Sequence, residues 1–268
     1  YVLANCGYNV RLALCGNHVV MLIPYVEHVF EKSYLNIDGK RYYIYPNVED
    51  EGSFRSCELP KGAELGKDMG LRFTGKTVIG DEAKPFRYEA AGITLQGEVP
   101  TGVMPLLDEY PIIDIPTVAA SVVDKSLRDD VVKQIRAQVQ DLSEQEAANR
   151  ILRFIQKGFP YATDDEQFHR EKYFYFEESL YYPKNDCEDR AIFYAYLVHE
   201  ILGLDVHLIQ FTGHECTAVA FHEPVENGTS YEYKGKKFYI CDPTYIGAKI
   251  GKCMPSYAKE SPQIEVWY

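Results

Sequence analysis

The amino-acid sequence predicts an α+β protein, with a helical run followed by a block of strands and a β-rich N-terminal region before both. Three observations carry this reading. Leu127, Val131, Ile135 and Val139 recur every four residues, the repeat of one helix face. Ala191, Ala195, Val198 and Leu202 repeat it at three- and four-residue spacing. Residues 214–221 and 237–241 lose that period and turn β-branched and aromatic, as strands do. With 268 residues, 46% of them hydrophobic, the chain can bury a substantial core as one large domain or two small ones. Composition shifts divide it into 1–47, 48–125 and 126–268.

Residues 1–47 repeat a later part of the chain. Shifted by 196 positions without a gap, Gly7 falls on Gly203, Val10 on Val206, Leu12 on Leu208 and His18 on His214. Gly39-Lys40 falls on Gly235-Lys236 and Tyr43-Ile44 on Tyr239-Ile240, so about ten of roughly forty positions are identical, which suggests a duplicated unit. Pro46 stands where the later copy has Asp242. Residues 48–116 are rich in Gly, Pro and short alternating runs. Arg72-Phe73-Thr74, Thr77-Val78-Ile79, Phe86-Arg87-Tyr88 and Ile93-Thr94-Leu95 read as strands of a small antiparallel sheet or linking domain. A helix follows from Ser126. Ser143 with Glu146 forms a capping box that opens another through Ala147, Ile151, Phe154 and Ile155, stopped at Gly158-Phe159-Pro160-Tyr161. From Tyr161 to Tyr182 the chain reads as an acidic, solvated loop.

Chemistry concentrates at Tyr182-Pro183-Lys184-Asn185-Asp186-Cys187-Glu188-Asp189-Arg190-Ala191. Asp186 is placed to cap a helix whose first turn holds Cys187. Free N–H groups and the helix dipole stabilise an anion there, which favours a thiolate, although most cysteines are small core residues. Two further stretches follow. Gly213-His214-Glu215-Cys216-Thr217-Ala218-Val219 puts a histidine at the start of a strand, and Cys241-Asp242-Pro243-Thr244-Tyr245 puts an aspartate at the end of the next. A thiol, an imidazole and an orienting carboxylate are the parts that nucleophilic acyl transfer needs.

In order, spacing and element, these three motifs resemble the transglutaminase-like superfamily, a papain-related group of cysteine hydrolases and acyltransferases. The likeness covers about residues 150–255. It is greater to bacterial transglutaminase-like cysteine proteinases than to the animal cross-linking enzymes, which usually carry a tryptophan after the cysteine, where Glu188 stands here. The resemblance implies a papain-like catalytic domain over 126–268, with Cys187 as nucleophile, His214 as acid and base and Asp242 as its orienting group. It implies action on a peptide or amide bond in a bacterial, periplasmic or extracellular setting. Residues 1–47 are then expected to be a partial, degenerate unit whose cysteine half lies upstream of Tyr1, with His18 inactive.

Papain-like chemistry also needs a donor to the developing oxyanion. The Gln167 amide and the Cys187 backbone N–H are the candidates. Asp186, Glu188 and Asp189 oppose ionisation of the thiol. Asp189 is expected to pair with Arg190 or another cation and face away, cationic His214 to hold the thiolate, or a hard cation to sit on the carboxylates. Bacterial proteinases of this kind include calcium-dependent members with acidic ligands flanking the cysteine, so Asp186 and Glu188 are calcium candidates. A zinc site from Cys187, His214, Cys216 and Asp242 is the competing metal reading. Otherwise Cys216 and Cys241 are core residues.

A net charge of −12, with pI near 5.1, argues against non-specific binding to nucleic acid or an anionic membrane surface. No apolar run is long enough to span a membrane. The sequence opens in mid-pattern, so removal of an upstream targeting segment is expected. Seven cysteines without a C-x-x-C pair are expected to be mostly free thiols. The 22 tyrosines suit half-buried strands or a contact surface. A catalytically silent protein- or glycan-binding module and a tyrosine-rich structural protein remain the alternatives to an enzyme.

Overall fold

The computed structural model of this chain describes residues 2–47, 53–57, 66–75, 77 and 79–266. It is mixed α and β, and every strand pair in its sheets is antiparallel. The chain divides into two compact units, residues 1–72 with 111–114, and residues 73–110 with 115–268. The stretch 48–125, expected as one linking region, is therefore shared between the two.

In the first unit, α1 (Val2–Asn5) precedes β1 (Arg11–Cys15), β2 (His18–Ile23), β3 (Tyr34–Ile37), β4 (Lys40–Tyr45) and β5 (Phe54–Ser56). These strands form one sheet in the order β3-β4-β2-β1-β5. Asp38 and Gly39 turn β3 into β4 with φ of 53° and 79°. Positive φ at both central residues is what a tight two-residue hairpin with right-handed twist requires.

The second unit opens with the hairpin β6 (Ala83–Ala90) and β7 (Ile93–Pro100). Of the four expected strands in this region, Phe86-Arg87-Tyr88 and Ile93-Thr94-Leu95 lie in it. Arg72-Phe73-Thr74 is not a strand and has only an isolated bridge from Thr74 to Val122. Val78 of the remaining run lies outside the described residues. The helices α2 (Met104–Asp108), α3 (Ile115–Ala120), α4 (Lys125–Val139), α5 (Glu144–Gly158), α6 (Asp164–Phe168), α7 (Glu178–Tyr181) and α8 (Cys187–Leu202) follow. A second sheet comprises β8 (Asp205–Phe211), β9 (His214–Ala220), β10 (Ser230–Tyr233), β11 (Lys236–Cys241) and β12 (Gln263–Glu265), in the order β10-β11-β9-β8-β12.

The α8 helix organises this unit. Ala191, Phe193, Tyr194, Ala195, Leu197 and Val198 are fully buried, because the helix packs on α4 and α5 on one side and on β8 and β9 on the other. Each large apolar side chain so buried stabilises the fold by about 1.5–3 kcal/mol. Gly203 ends α8 at φ 70°, the left-handed cap that glycine adopts without strain. The Ser143–Glu146 capping box opens α5 as expected, with the Glu146 carboxylate accepting the Ser143 N–H and the Ser143 hydroxyl accepting the Glu146 N–H.

The two five-stranded sheets share one pairing. Arg11↔Leu22 and Cys15↔His18 correspond, at the shift of 196 positions, to His207↔Ala218 and Phe211↔His214. Met21↔Tyr45 and Ile23↔Tyr43 correspond to Thr217↔Cys241 and Val219↔Tyr239. Tyr34↔Tyr43 and Ile37↔Lys40 correspond to Ser230↔Tyr239 and Tyr233↔Lys236. Lys234 and Gly235 repeat the positive φ of Asp38 and Gly39. Even the apolar clusters correspond: Ala13, Cys15, Val20, Leu22, Tyr42 and Ile44 are matched by Ile209, Phe211, Cys216, Ala218, Phe238 and Ile240. The expected repeat of strand order and register is therefore observed.

The reading of 161–182 as an acidic, solvated loop is corrected. It contains α6 and α7, and its carboxylates are partly internal. Glu177 is fully buried and accepts from Nε and Nη2 of buried Arg128 at 2.7 and 3.0 Å, while Phe176 and Tyr196 flank the guanidinium at 4.9 Å each. Glu178 pairs with buried Lys172 at 2.6 Å. Desolvation explains the pairing, since a lone buried charge is costly.

Candidate functional site

His214 and Asp242 come together because β9 and β11 are adjacent antiparallel strands whose paired ends place the start of one beside the end of the other. His214 Nε2 and Asp242 Oδ2 are 2.9 Å apart, both buried. Asp242 Oδ1 accepts the N–H groups of Thr244 (2.8 Å) and Tyr245 (3.1 Å), so both carboxylate oxygens are engaged and the side chain is fixed. Tyr257 stacks on the ring, with centroids 5.1 Å apart and planes 10° apart.

Cys187 begins α8 as expected, half-buried. Its thiol donates to Glu188 Oε2 at 3.0 Å. Burial pushes its pKa well up, the Glu188 carboxylate pushes further, and a hydrogen bond from the Glu215 N–H pulls back. That N–H belongs to the residue after His214, on β9, the strand that α8 packs against. The half-exposed Tyr161 ring is also close, since after burial Cys187 is the leading cause of its pKa rising to about 12.

Carboxyl groups crowd this helix start. Asp164, Asp186 and Glu188 are buried and bring oxygens within 4.8 Å of one another. Asp164 rises to about 7, chiefly through burial, and Asp186 to about 9 through burial, then Glu188, then Asp164. One oxygen of each, Asp164 Oδ1 and Asp186 Oδ1, has no hydrogen-bond partner among the described residues. Glu215 projects to the opposite side of β9 from His214. It is buried, both its oxygens lack partners among the described residues, and burial with the charges of Glu265 and Glu188 raises it to about 9.

Asp189 does not pair with Arg190. Its carboxylate instead accepts the N–H groups of Phe174 (2.8 Å) and Asp186 (3.3 Å) and closes the helix start from beneath. Arg190 is buried and donates to Asn185 Oδ1 and to the Phe159 carbonyl. Gln167 lies on α6, and its Nε2 is buried without a partner among the described residues. His18 is exposed at the start of β2, and Pro46 is the residue at the position of Asp242. Cys216 and Cys241 are fully buried, and none of the seven cysteines is joined in a disulfide. His214, Cys216 and Asp242 also bring donor atoms within 4.8 Å of one another.

Several site residues escaped the sequence reading. Gln156 on α5 donates through Nε2 to the carbonyls of Asp242, Tyr245 and Ala248, and its Oε1 accepts the Gly247 N–H. A polar side chain on the apolar stripe of Leu152 and Ile155 was the available signal. Asp164 follows Thr163, whose capping box with Glu166 was legible. Tyr257 lies in an irregular segment, and nothing in the sequence ties it to His214.

Among known proteins, no family model matches the chain and no curated sequence matches it. Among the described residues, no helix is long and apolar enough to cross a membrane.

Proposed function

We propose that this protein is a thiol-dependent acyl-transfer enzyme of transglutaminase-like, papain-related fold, acting by hydrolysis on a peptide or amide bond. The observation that carries the reading is the buried His214–Asp242 hydrogen bond, with Cys187 in the first turn of α8, the helix that packs on the histidine strand β9. Cys187 attacks the acyl carbon after passing its proton to His214. The imidazolium then protonates the leaving amine, and water, activated by the same imidazole, releases the acid. Asp242 fixes the tautomer and steadies the imidazolium. The Cys187 N–H and Gln167 Nε2, which has no partner among the described residues, are the two oxyanion donors, a role usually worth a few kcal/mol. The engaged state of both Asp242 oxygens favours an orienting role over zinc ligation.

The carboxylates set a condition on this chemistry. Asp164, Asp186 and Glu188 offer the hard, oxygen-only donor set that suits calcium, and the unpartnered buried oxygens of Asp164 and Asp186 fit such an ion. Bound there, calcium would neutralise the charge that now opposes a thiolate. The raised pKa of Cys187 favours a second reading for the metal-free protein, a silent binding module.

Alkylation with iodoacetamide or a peptidyl electrophile, mapped by mass spectrometry across all seven cysteines, separates the two. An enzyme gives fast labelling confined to Cys187 and lost in His214→Ala. Chelation slows labelling if calcium belongs to the site. Labelling of Cys187 no faster than that of Cys216 or Cys241 under mild unfolding would leave the binding module as the better reading.

A further inference from the structure

A basic cleft lies along α5, and Cys187, His214 and Asp242 are not among its lining residues. Arg150, Arg153 and Lys157 follow one another at three- and four-residue spacing and therefore share one helix face. Lys249, from the segment after Asp242, meets them across a cleft of about 390 Å³. Half of the cleft's lining residues are cations, on a chain whose net charge is −12. Glu146 is the one acid in the lining, and its carboxylate is already committed to the Ser143 N–H and hydroxyl at the start of α5. Among the described residues, no carboxylate forms an ion pair with Arg150, Arg153, Lys157 or Lys249. Glu146 also feels the charge of Arg150, so one carboxylate faces four cations, and the remaining excess of positive charge is relieved by an anion.

We propose that this cleft binds a small polyphosphate group. Arginine forks match the oxygens of phosphate, and a lysine at either end adds a point charge. Arg150 to Lys157 spans about 10 Å of helix rise, which suits a string of two or three phosphates rather than a single ion. A cleft of this size takes a small ligand. The site also touches the Asp242 segment. Asn149 Oδ1 accepts the Ile250 N–H at 2.9 Å, and Gln156, one helical turn from Arg153, holds Asp242 and Gly247. An anion bridging α5 and Lys249 therefore clamps the segment 245–251 to the helix.

Calorimetric titration of the full chain with sodium tripolyphosphate, at low salt and at 150 mM salt, tests this without reference to any enzymatic activity. Wild type binds, more weakly at the higher salt. Arg153→Glu/Lys157→Glu weakens binding at least tenfold, and Lys249→Ala weakens it about threefold. ATP in place of tripolyphosphate distinguishes a free polyphosphate from a nucleotide, since tighter ATP binding assigns the nucleotide. Hydrogen exchange of residues 245–251 slows on tripolyphosphate addition. If the double variant fails to fold, Lys249→Ala and the exchange measurement decide. Absence of binding at low salt overturns the proposal, as does equal affinity in wild type and variants, or citrate binding as tightly as tripolyphosphate.

Discussion

Cys187 sits between two opposing influences. The helix start and the Glu215 N–H favour a thiolate, whereas burial and Glu188 oppose one. In calcium-free protein at pH 7, Glu188→Gln therefore speeds alkylation of Cys187, by about tenfold for each pKa unit recovered. The rate of iodoacetamide labelling at that residue measures it, and an unchanged rate removes Glu188 as the restraining charge. His214→Ala and Asp242→Ala slow the same reaction, the former more. His18→Ala leaves it unchanged, because Pro46 supplies no carboxylate at the equivalent position. These residues differ in how legible they were. Cys187, His214 and Asp242 stood in local motifs. Glu215 stood beside one of them, and only its burial without a partner among the described residues gives it weight.

Two elements hold the site in place by means that can be separated. The α5 helix reaches the Asp242 segment through the buried Gln156 amide. Gln156→Ala leaves several backbone groups without their partner, at a cost of about 1–3 kcal/mol. Urea unfolding reads that cost, and slower Cys187 labelling in the still-folded variant reads the loosened Asp242. The segment leading to α7 is held instead by the Arg128–Glu177 pair. Arg128→Met strands a buried carboxylate and costs about 3–5 kcal/mol, whereas Arg128→Met/Glu177→Leu recovers most of it, because the desolvated charge is then gone. A double variant no more stable than the single one would contradict this account. The capping box of α5 was readable from Ser143 and Glu146. The burial of Glu177 was not, because its counter-charge lies about fifty residues away in sequence.

Across the molecule, buried acids tie stability to pH. Asp164, Asp186 and Glu215 titrate at about 7, 9 and 9 in the fold. In the unfolded chain such groups ionise near 4. Between those values the native state keeps protons that the unfolded state has released. Their contribution to stability is therefore complete below about pH 4 and is lost as the pH rises through about 7 to 9. Urea unfolding of calcium-free protein at pH 5, 7 and 9 should show falling stability, and Asp186→Asn with Glu215→Gln should flatten the trend. Added calcium should raise stability most at the high-pH end, where the carboxylates are ionised. A rise in stability from pH 5 to 9 without calcium is the contrary result.

The sequence alone determined the α+β class, the helix and strand that carry Cys187 and His214, and the repeat between residues 7–47 and 203–243. All of these rest on local periodicity, capping and turn chemistry, which act over a few residues. The repeat's register was readable because alternation along a strand fixes which face each residue takes. Cover was not: Leu208 is buried beside α8, whereas its counterpart Leu12 is 49% exposed. Tertiary structure decided that Asp189 turns to Phe174 rather than Arg190, and that Asp164 joins Asp186 and Glu188. It also gathered cations from α5 and the Asp242 segment around one cleft. Each of these depends on desolvation and on which distant backbone groups still need partners, and both exist only once the chain has folded.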